Sequence, residues 1–395
     1  MLSVADAIAA VLARVPRLGN EHVPLDAALG RVLADDIVAT RALPGFDNSA
    51  MDGYAARSAE LPATLAIAGA VHAGEVWTTA VPAGSAIRIM TGAPVPAGLD
   101  TVVIQEDATA EGGRVTLPAS PAGDNLRVVG EDIAIGDTAI RAGTRLGGWD
   151  IGLLAALGVA MVRVAKQPRV ALIATGDELV ELATEPGHGQ LVDSSVHSLA
   201  ALVRAAGGEP IRIGIARDEV GALRSAIASA LGHDAVITTG GVSVGDRDHV
   251  RAALAEAGVA LELWKVAMKP GKPFSFGRGP GCVAFGLPGN PVSTVVGFEL
   301  FVRPALLAMQ GARVVERPRV PVRLAGGYAK QAGRIHFLRA TVHREGERLV
   351  AVAHAKQGSA MMSSLVGCNA LVEVAADATE VAAGASVPAI LLEAV

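Results

Sequence analysis

The sequence predicts a multidomain α/β protein: a central doubly wound α/β domain, a split helical domain carrying an inserted β domain, and a C-terminal β-barrel-like domain. Three observations carry that reading. Across 168–315, near-continuous apolar runs such as 170–174 alternate with helix-like stretches, as a parallel sheet covered on both faces requires. Short alternating runs separated by Gly and Pro fill 63–127 and recur after 316, which is the pattern of antiparallel sheets. With 395 residues, 51% of them hydrophobic, the chain can bury more than one core.

Taken in order, residues 3–15 read as an amphipathic helix. Ser3 caps it, Val4, Ile8, Val11, Leu12 and Val15 share a face, and Pro16 ends it. This segment, 1–15, is expected to pack on the central domain. The split helical and linker domain takes 16–43 and 128–167. A helix is expected over 25–37, another over 150–157 with Gly158 as its stop, and a strand over 159–164. The inserted β domain takes 44–127, with strand-like runs at 64–70, 86–90, 101–105 and 114–117. The central domain takes 168–315; its strands at 170–174, 211–215 and 234–239 alternate with helices, and Pro291 opens a last helix to 309. Residues 316–395 form a small barrel or sandwich from runs at 320–324, 336–342, 349–353, 370–374 and 387–392.

Composition excludes several function classes. Aromatics are 3% of the chain, too few for base-stacking platforms, and a net charge of −5 without a basic run argues against a nucleic-acid partner. Two cysteines, Cys282 and Cys368, give neither a disulfide framework nor metal-ligand spacing, and both read as buried thiols of a reducing cytoplasm. The N-terminus has no basic region of the signal-peptide type, and no apolar run is expected to cross a membrane.

The chemistry concentrates between 234 and 291. Three glycine-bearing loops follow three apolar strand-like runs: 239–246, 269–273 and 287–291. Such loops sit where an open α/β sheet binds ligands, and glycine lets backbone N–H groups approach an anion. Lys265, Lys269 and Lys272 add cations, Asp246 and Asp248 add hard oxygen ligands, and Ser243, Pro288, Asn290 and Pro291 lie in the loops themselves. Cations, bare amides and carboxylates together point to a phosphorylated ligand held with a divalent metal. Elsewhere, 46–54 is dense in polar groups: Asp47, Asn48, Ser49 and Asp52 either line a pocket or form turns. Thr91 either meets a ligand oxygen or bonds its own turn, and Asp218 is either a site carboxylate or a helix cap. Arg339 and the 358–359 pair are anion contacts or a solvated strand face.

Eight motifs then resemble one family: PGFDNSAMDGYA (44–55), RIMTGAP (88–94), GEDI (130–133), TGDEL (175–179), TTGGVSVGD (238–246), KPGKP (269–273), LPGNPVS (287–293) and FLR (337–339). In this order, over essentially the whole chain, they resemble the molybdopterin molybdenumtransferases, the bacterial MoeA proteins and the C-terminal domain of gephyrin. The resemblance implies insertion of molybdenum from molybdate into adenylyl-molybdopterin, with release of AMP. It implies site roles for Asp52, Thr91, Asp132, Glu178, Asp218, Asp248, Lys265, Lys269, Pro288, Pro291, Arg339 and Ser359. One departure stands out: this chain reads Asp246-Arg247-Asp248-His249 where many members carry Glu and then Asp-Tyr or Asp-His, so either aspartate suits a metal. Mg²⁺ is the expected ion, with Glu178, Asp218 and Asp248 as its carboxylates. Lys265, Lys269 and Lys272 hold phosphate or molybdate oxygens, and Arg339 with Ser359 forms an oxyanion site. A homodimer with sites built from both chains is expected, with other molybdenum cofactor biosynthesis proteins as further partners. The alternatives are a molybdopterin adenylyltransferase and a non-catalytic molybdopterin-binding scaffold.

Overall fold

The computed structural model describes residues 1–240, 249–393 and 395, with the backbone alone for 261–264. Its centre is a six-stranded sheet in the order Glu209–Ala216, Arg169–Thr175, Ala235–Thr239, Cys282–Leu287, Pro273–Gly279, Ala260–Lys265. The first four strands are parallel and the last two pairings are antiparallel. The period of two in Arg169–Thr175 divides its side chains between two cores. Val170, Leu172 and Ala174 join a cluster with the Ser195–Ala205 helix and the long helix that begins at Pro291. Ala171 and Ile173 join a second cluster with the Val220–Ala230 and His249–Glu256 helices. Both faces are therefore covered, which is the doubly wound arrangement. The Val4–Leu12 helix, capped by Ser3, adds Val4, Ala7, Ile8 and Val11 to the first cluster.

The helix from Pro291 to Met309 is long and apolar enough to cross a bilayer by length and composition, contrary to the expectation of no such run. It is a core helix, 83% buried within the protein. It includes a π-helical stretch, Phe298–Val302, just before Pro304. Proline has no N–H and its ring crowds the preceding turn, so a wider turn there relieves the misfit.

The C-terminal region is a closed barrel. Ile335–Glu345 pairs with Arg348–Ala353, then follow Arg319–Leu324, Ser386–Leu391 and Ala370–Val374, which pairs back to Ile335–Glu345. Leu338, Ala340 and Val342 fill its interior, while Phe337, Leu371 and Ile390 point outward into the central core.

The inserted region forms its own six-stranded sheet. Its two hydrophobic clusters draw only on residues between Tyr54 and Leu126. Gly53–Ala56, a fully buried strand in this sheet, begins at the C-terminal end of the polar 46–54 segment. A Cβ on Gly53 would sit 2.1 Å from the Val103 carbonyl oxygen, so the strand tolerates no side chain there. The split segment carries one α-helix, Gly148–Ala156, and short antiparallel ladders. The helix expected over 25–37 is instead a 3-10 turn, Leu25–Ala27, followed by extended chain. Its backbone bonds across the chain, Leu33 N–H to Thr144 O at 2.9 Å and Ala34 N–H to Arg163 O at 2.9 Å. These tertiary partners outweigh local helix propensity.

Candidate functional site

Strand direction brings the expected loops to one edge of the central sheet. Thr175 pairs with Ala216, Ala174 with Thr239, Thr239 with Leu287, and Lys265 with Pro273, all at that edge. The loops carrying Glu178, Asp218, Gly240, Pro288 and the 269–273 lysines therefore face the same side. The chain runs outward from Arg169–Thr175 to Glu209–Ala216 and then returns to Ala235–Thr239 on the other flank. That reversal is the switch point at which open sheets bind ligands.

Local contacts set these loops close together. Thr175 Oγ1 donates to Thr239 O at 3.0 Å, and Gly240 N–H donates to Leu287 O at 3.1 Å. Gly240 has φ +86°, and a Cβ there would lie 2.5 Å from Thr175 O. The Glu178 carboxylate folds over Gly176, whose hypothetical Cβ would meet it at 2.6 Å. Asp218 N–H donates to Asp177 Oδ1 at 3.1 Å, tying the two acidic loops together. Among the described residues no group of three His, Cys, Asp or Glu forms a metal cluster. Ser243, Asp246 and Asp248 lie outside the described residues.

The barrel reaches the same region. Thr294 Oγ1 donates to the carbonyls of Pro288 and Asn290, at 2.5 and 3.1 Å, holding the 287–291 loop at the helix start. Val292 N–H, in the first turn of that helix, donates to Ser359 O at 3.1 Å. The segment bearing Ser359 is shaped by Arg339, which is 1% exposed. Its guanidinium donates to Ser364 Oγ, Lys356 O and Gly358 O, each at 3.1 Å. Burial pushes the Arg339 pKa below the ordinary arginine value. Arg339 is thus not a solvated strand residue: through Nε and Nη2 it builds the loop that meets the helix N-terminus. Lys269, joined to Pro270 by a cis peptide bond, pairs with His336 of the barrel, and both Lys269 and Lys272 are exposed.

A third group stands in the inserted sheet. Asp52 Oδ1 accepts from Thr91 N at 2.7 Å and Thr91 Oγ1 at 2.8 Å. These bonds, with Arg88 nearby, hold the exposed Asp52 carboxyl below its ordinary pKa. Asn48 and Ser49 take the turn role: Asn48 Nδ2 donates to Phe46 O and Ser49 Oγ to Met51 O, at 3.1 and 2.5 Å. Asp132 sits in the return segment, where its N–H donates to Leu43 O at 3.0 Å. No described element of the inserted sheet packs broadly on an element of the central sheet.

These features match known proteins along the whole chain. Residues 2–158 match the MoeA N-terminal region (domain I and II), 171–308 a probable molybdopterin binding domain, and 321–392 the MoeA C-terminal region (domain IV). A molybdopterin molybdenumtransferase of Haemophilus influenzae is 36% identical, with 98% of each chain covered. The chain belongs to the MoeA family. A second relative, the molybdopterin molybdenumtransferase of Nostoc, is 40% identical over 79% of this chain and 75% of its own. The crystal structure of the molybdopterin biosynthesis MoeA protein from Pyrococcus horikoshii superposes with a TM-score of 0.87 at 32% identity, covering 99% of this chain and 100% of that one.

In this MoeA-family chain the motifs found the sheet-edge loops, but sequence reasoning missed what holds the barrel in place. Glu299, 7% exposed, accepts from Arg317 Nε at 2.6 Å and Nη2 at 3.2 Å. Arg317 Nη1 also donates to Leu392 O, and Arg303 to Val315 O at 2.9 Å. An isolated Glu within an apolar helix was the available signal, since such a residue is rarely buried unpaired.

Proposed function

We propose that this protein is a molybdopterin molybdenumtransferase, taking adenylyl-molybdopterin and molybdate and releasing AMP. The observation that carries the reading is the convergence, at one sheet edge, of the Gly240, Pro288 and lysine loops with the barrel segment built by Arg339. The positive end of the helix dipole at 290–292 suits phosphate oxygens. Lys265, Lys269 and Lys272 supply positive charge against the diphosphate and molybdate. Ser243, Asn290 and Ser359 serve as polar contacts, and Arg339 positions Ser359 through the 356–358 carbonyls.

Glu178 and Asp218, on loops tied together through Asp177, offer hard carboxylate oxygens that suit a divalent cation such as Mg²⁺, and these two with Asp248 are the residues that would hold it. When bound, the ion would neutralise charge developing on the phosphoryl group that leaves as AMP. Asp52 and Thr91 belong to the inserted unit and Asp132 to the return segment, and they would close the pocket of a second copy in a homodimer. The expected setting is a reducing cytoplasm, to which two free cysteines, Cys282 and Cys368, are suited. Other proteins of molybdenum cofactor biosynthesis are the expected partners.

Incubation with each substrate set tests the reading. AMP formation from adenylyl-molybdopterin only when molybdate is present supports it. Formation of adenylyl-molybdopterin from ATP and molybdopterin would instead identify an adenylyltransferase, and molybdopterin binding without either reaction would identify a scaffold.

A further inference from the structure

Toward its start, the barrel strand Ile335–Glu345 outruns its neighbour Arg348–Ala353. Their ladder ends at the Ala340–Ala353 pair, and His354 N–H still donates to Arg339 O at 2.8 Å. There the neighbouring chain turns away, and the N–H of the buried Arg339 would lose its ladder partner. Gln357 takes that place. Its Oε1 accepts from Arg339 N–H at 3.2 Å, and its Nε2 donates to Arg339 O at 2.9 Å and to His354 O at 2.8 Å. A primary amide presents a donor and an acceptor as a peptide group does, so one side chain stands in for the missing residue of the ladder. These partners also fix which way the amide points, since a reversed amide would set donor against donor.

Arg339 thereby grips the 354–359 segment in two ways. Its backbone holds Gln357, and its Nη2 donates to Lys356 O and Gly358 O, each at 3.1 Å. Ser359, next in the chain, meets the central domain, where its carbonyl accepts from Val292 N–H at 3.1 Å. Val292 stands in the first turn of the helix that begins at Pro291, where N–H groups have no intrahelical partner. Thr294 ties the same turn to the carbonyls of Pro288 and Asn290. A continuous set of bonds thus runs from Gln357 to the 287–291 loop at the sheet edge.

Both N–H donors of Gln357 are spent on carbonyls, so its effect is exerted through Ser359 rather than on a ligand.

We propose that Gln357 is a positioning residue of the transferase pocket. By completing the ladder at Arg339 it fixes the 356–359 segment, and with it Ser359, against the start of the long helix. The link to turnover rests on the proposed transferase function; the clamp itself rests on the bonds.

Hydrogen exchange and steady-state kinetics on the full chain test this. Gln357→Met keeps the side-chain length and removes the bonds to Arg339 and His354. Gln357→Glu keeps the acceptor for Arg339 N–H and, once ionised, has no donor, so it remains informative should the first variant fail to fold. In each, the Val292 amide should exchange at least about tenfold faster than in wild type, while the Ile237 amide of the central sheet keeps its wild-type rate. The KM for molybdate should rise about fivefold or more, with the KM for adenylyl-molybdopterin within about twofold of wild type. A merely structural role predicts faster exchange at both amides and a lower thermal midpoint, with both KM values unchanged below that midpoint. That result, or Val292 exchange within about twofold of wild type in both variants, overturns the proposal. The two claims fail separately. If wild type releases no AMP, the transferase reading falls while Val292 exchange still decides the clamp. If wild type releases AMP and the molybdate KM of both variants stays within about twofold of wild type, the positioning role alone falls.

Discussion

Residue by residue, the environment of each charged group decides what it can do. His336 has its pKa depressed from 6.5 to about 4, chiefly by burial and then by Lys269, Lys330 and Arg334. The unfolded chain therefore takes up this proton first as pH falls. Stability from the neutral ring is fully present above about 6.5 and is lost as pH drops toward 4. Thermal scans across that window should show wild type losing more midpoint than His336→Gln; equal losses would contradict the assignment. Asp52 presents the opposite case, an exposed carboxylate kept ionised by Thr91. Asp52→Asn should leave the thermal midpoint nearly unchanged while AMP release falls at least about tenfold. The Gly240 and Lys269 loops were legible as sheet-edge loops because Gly- and Pro-rich segments after apolar runs have a mechanism. The neutral state of His336 was not legible, since its surroundings come from segments far apart in sequence. Nor was the work of Arg339, whose partners at 356, 358 and 364 appear only when the barrel closes.

Elements were legible where their period was strong and obscure where tertiary bonds replaced it. The parallel strands and the barrel strands announced themselves by apolar runs and alternation. The 25–37 stretch mimicked a helix because Leu29, Val32 and Leu33 fall at helical spacing, yet Leu29 is 66% exposed and the backbone is bonded to 144 and 163. Two elements carry testable strain or charge. At Gly240 the chain turns with φ +86° against Thr175 O. Gly240→Ala should cost about 1–3 kcal/mol from the left-handed backbone alone, before the Cβ clash, read as a fall in the denaturation midpoint. In the long helix, Glu299 faces Arg317 with only 5% of its side chain exposed. Burial lowers the Arg303 pKa to about 10, and the Glu299 charge opposes that effect. Glu299→Ala leaves the half-buried Arg317 guanidinium without its carboxylate and should cost about 1–3 kcal/mol in chemical denaturation. A loss near zero would mean that water already solvates the pair.

For the whole molecule, the arrangement of cores bears on assembly. The inserted sheet has hydrophobic clusters of its own, so Asp52 and Thr91 ride on a unit separate from the central sheet. A two-fold dimer in which each inserted unit closes the partner's pocket would unite both sets of residues. Co-expression of Asp52→Ala with Lys269→Ala chains would then yield heterodimers with one intact site, recovering about half of wild-type activity per dimer. No recovery in verified heterodimers would count against completion in trans. The central claim concerns the reaction itself, and molybdate-dependent release of AMP from adenylyl-molybdopterin tests it most directly. The wild-type protein should release AMP when molybdate is added and little without it, and Lys269→Ala, folded to the same midpoint, should release far less. AMP release indifferent to molybdate, or undiminished in Lys269→Ala, would contradict the account.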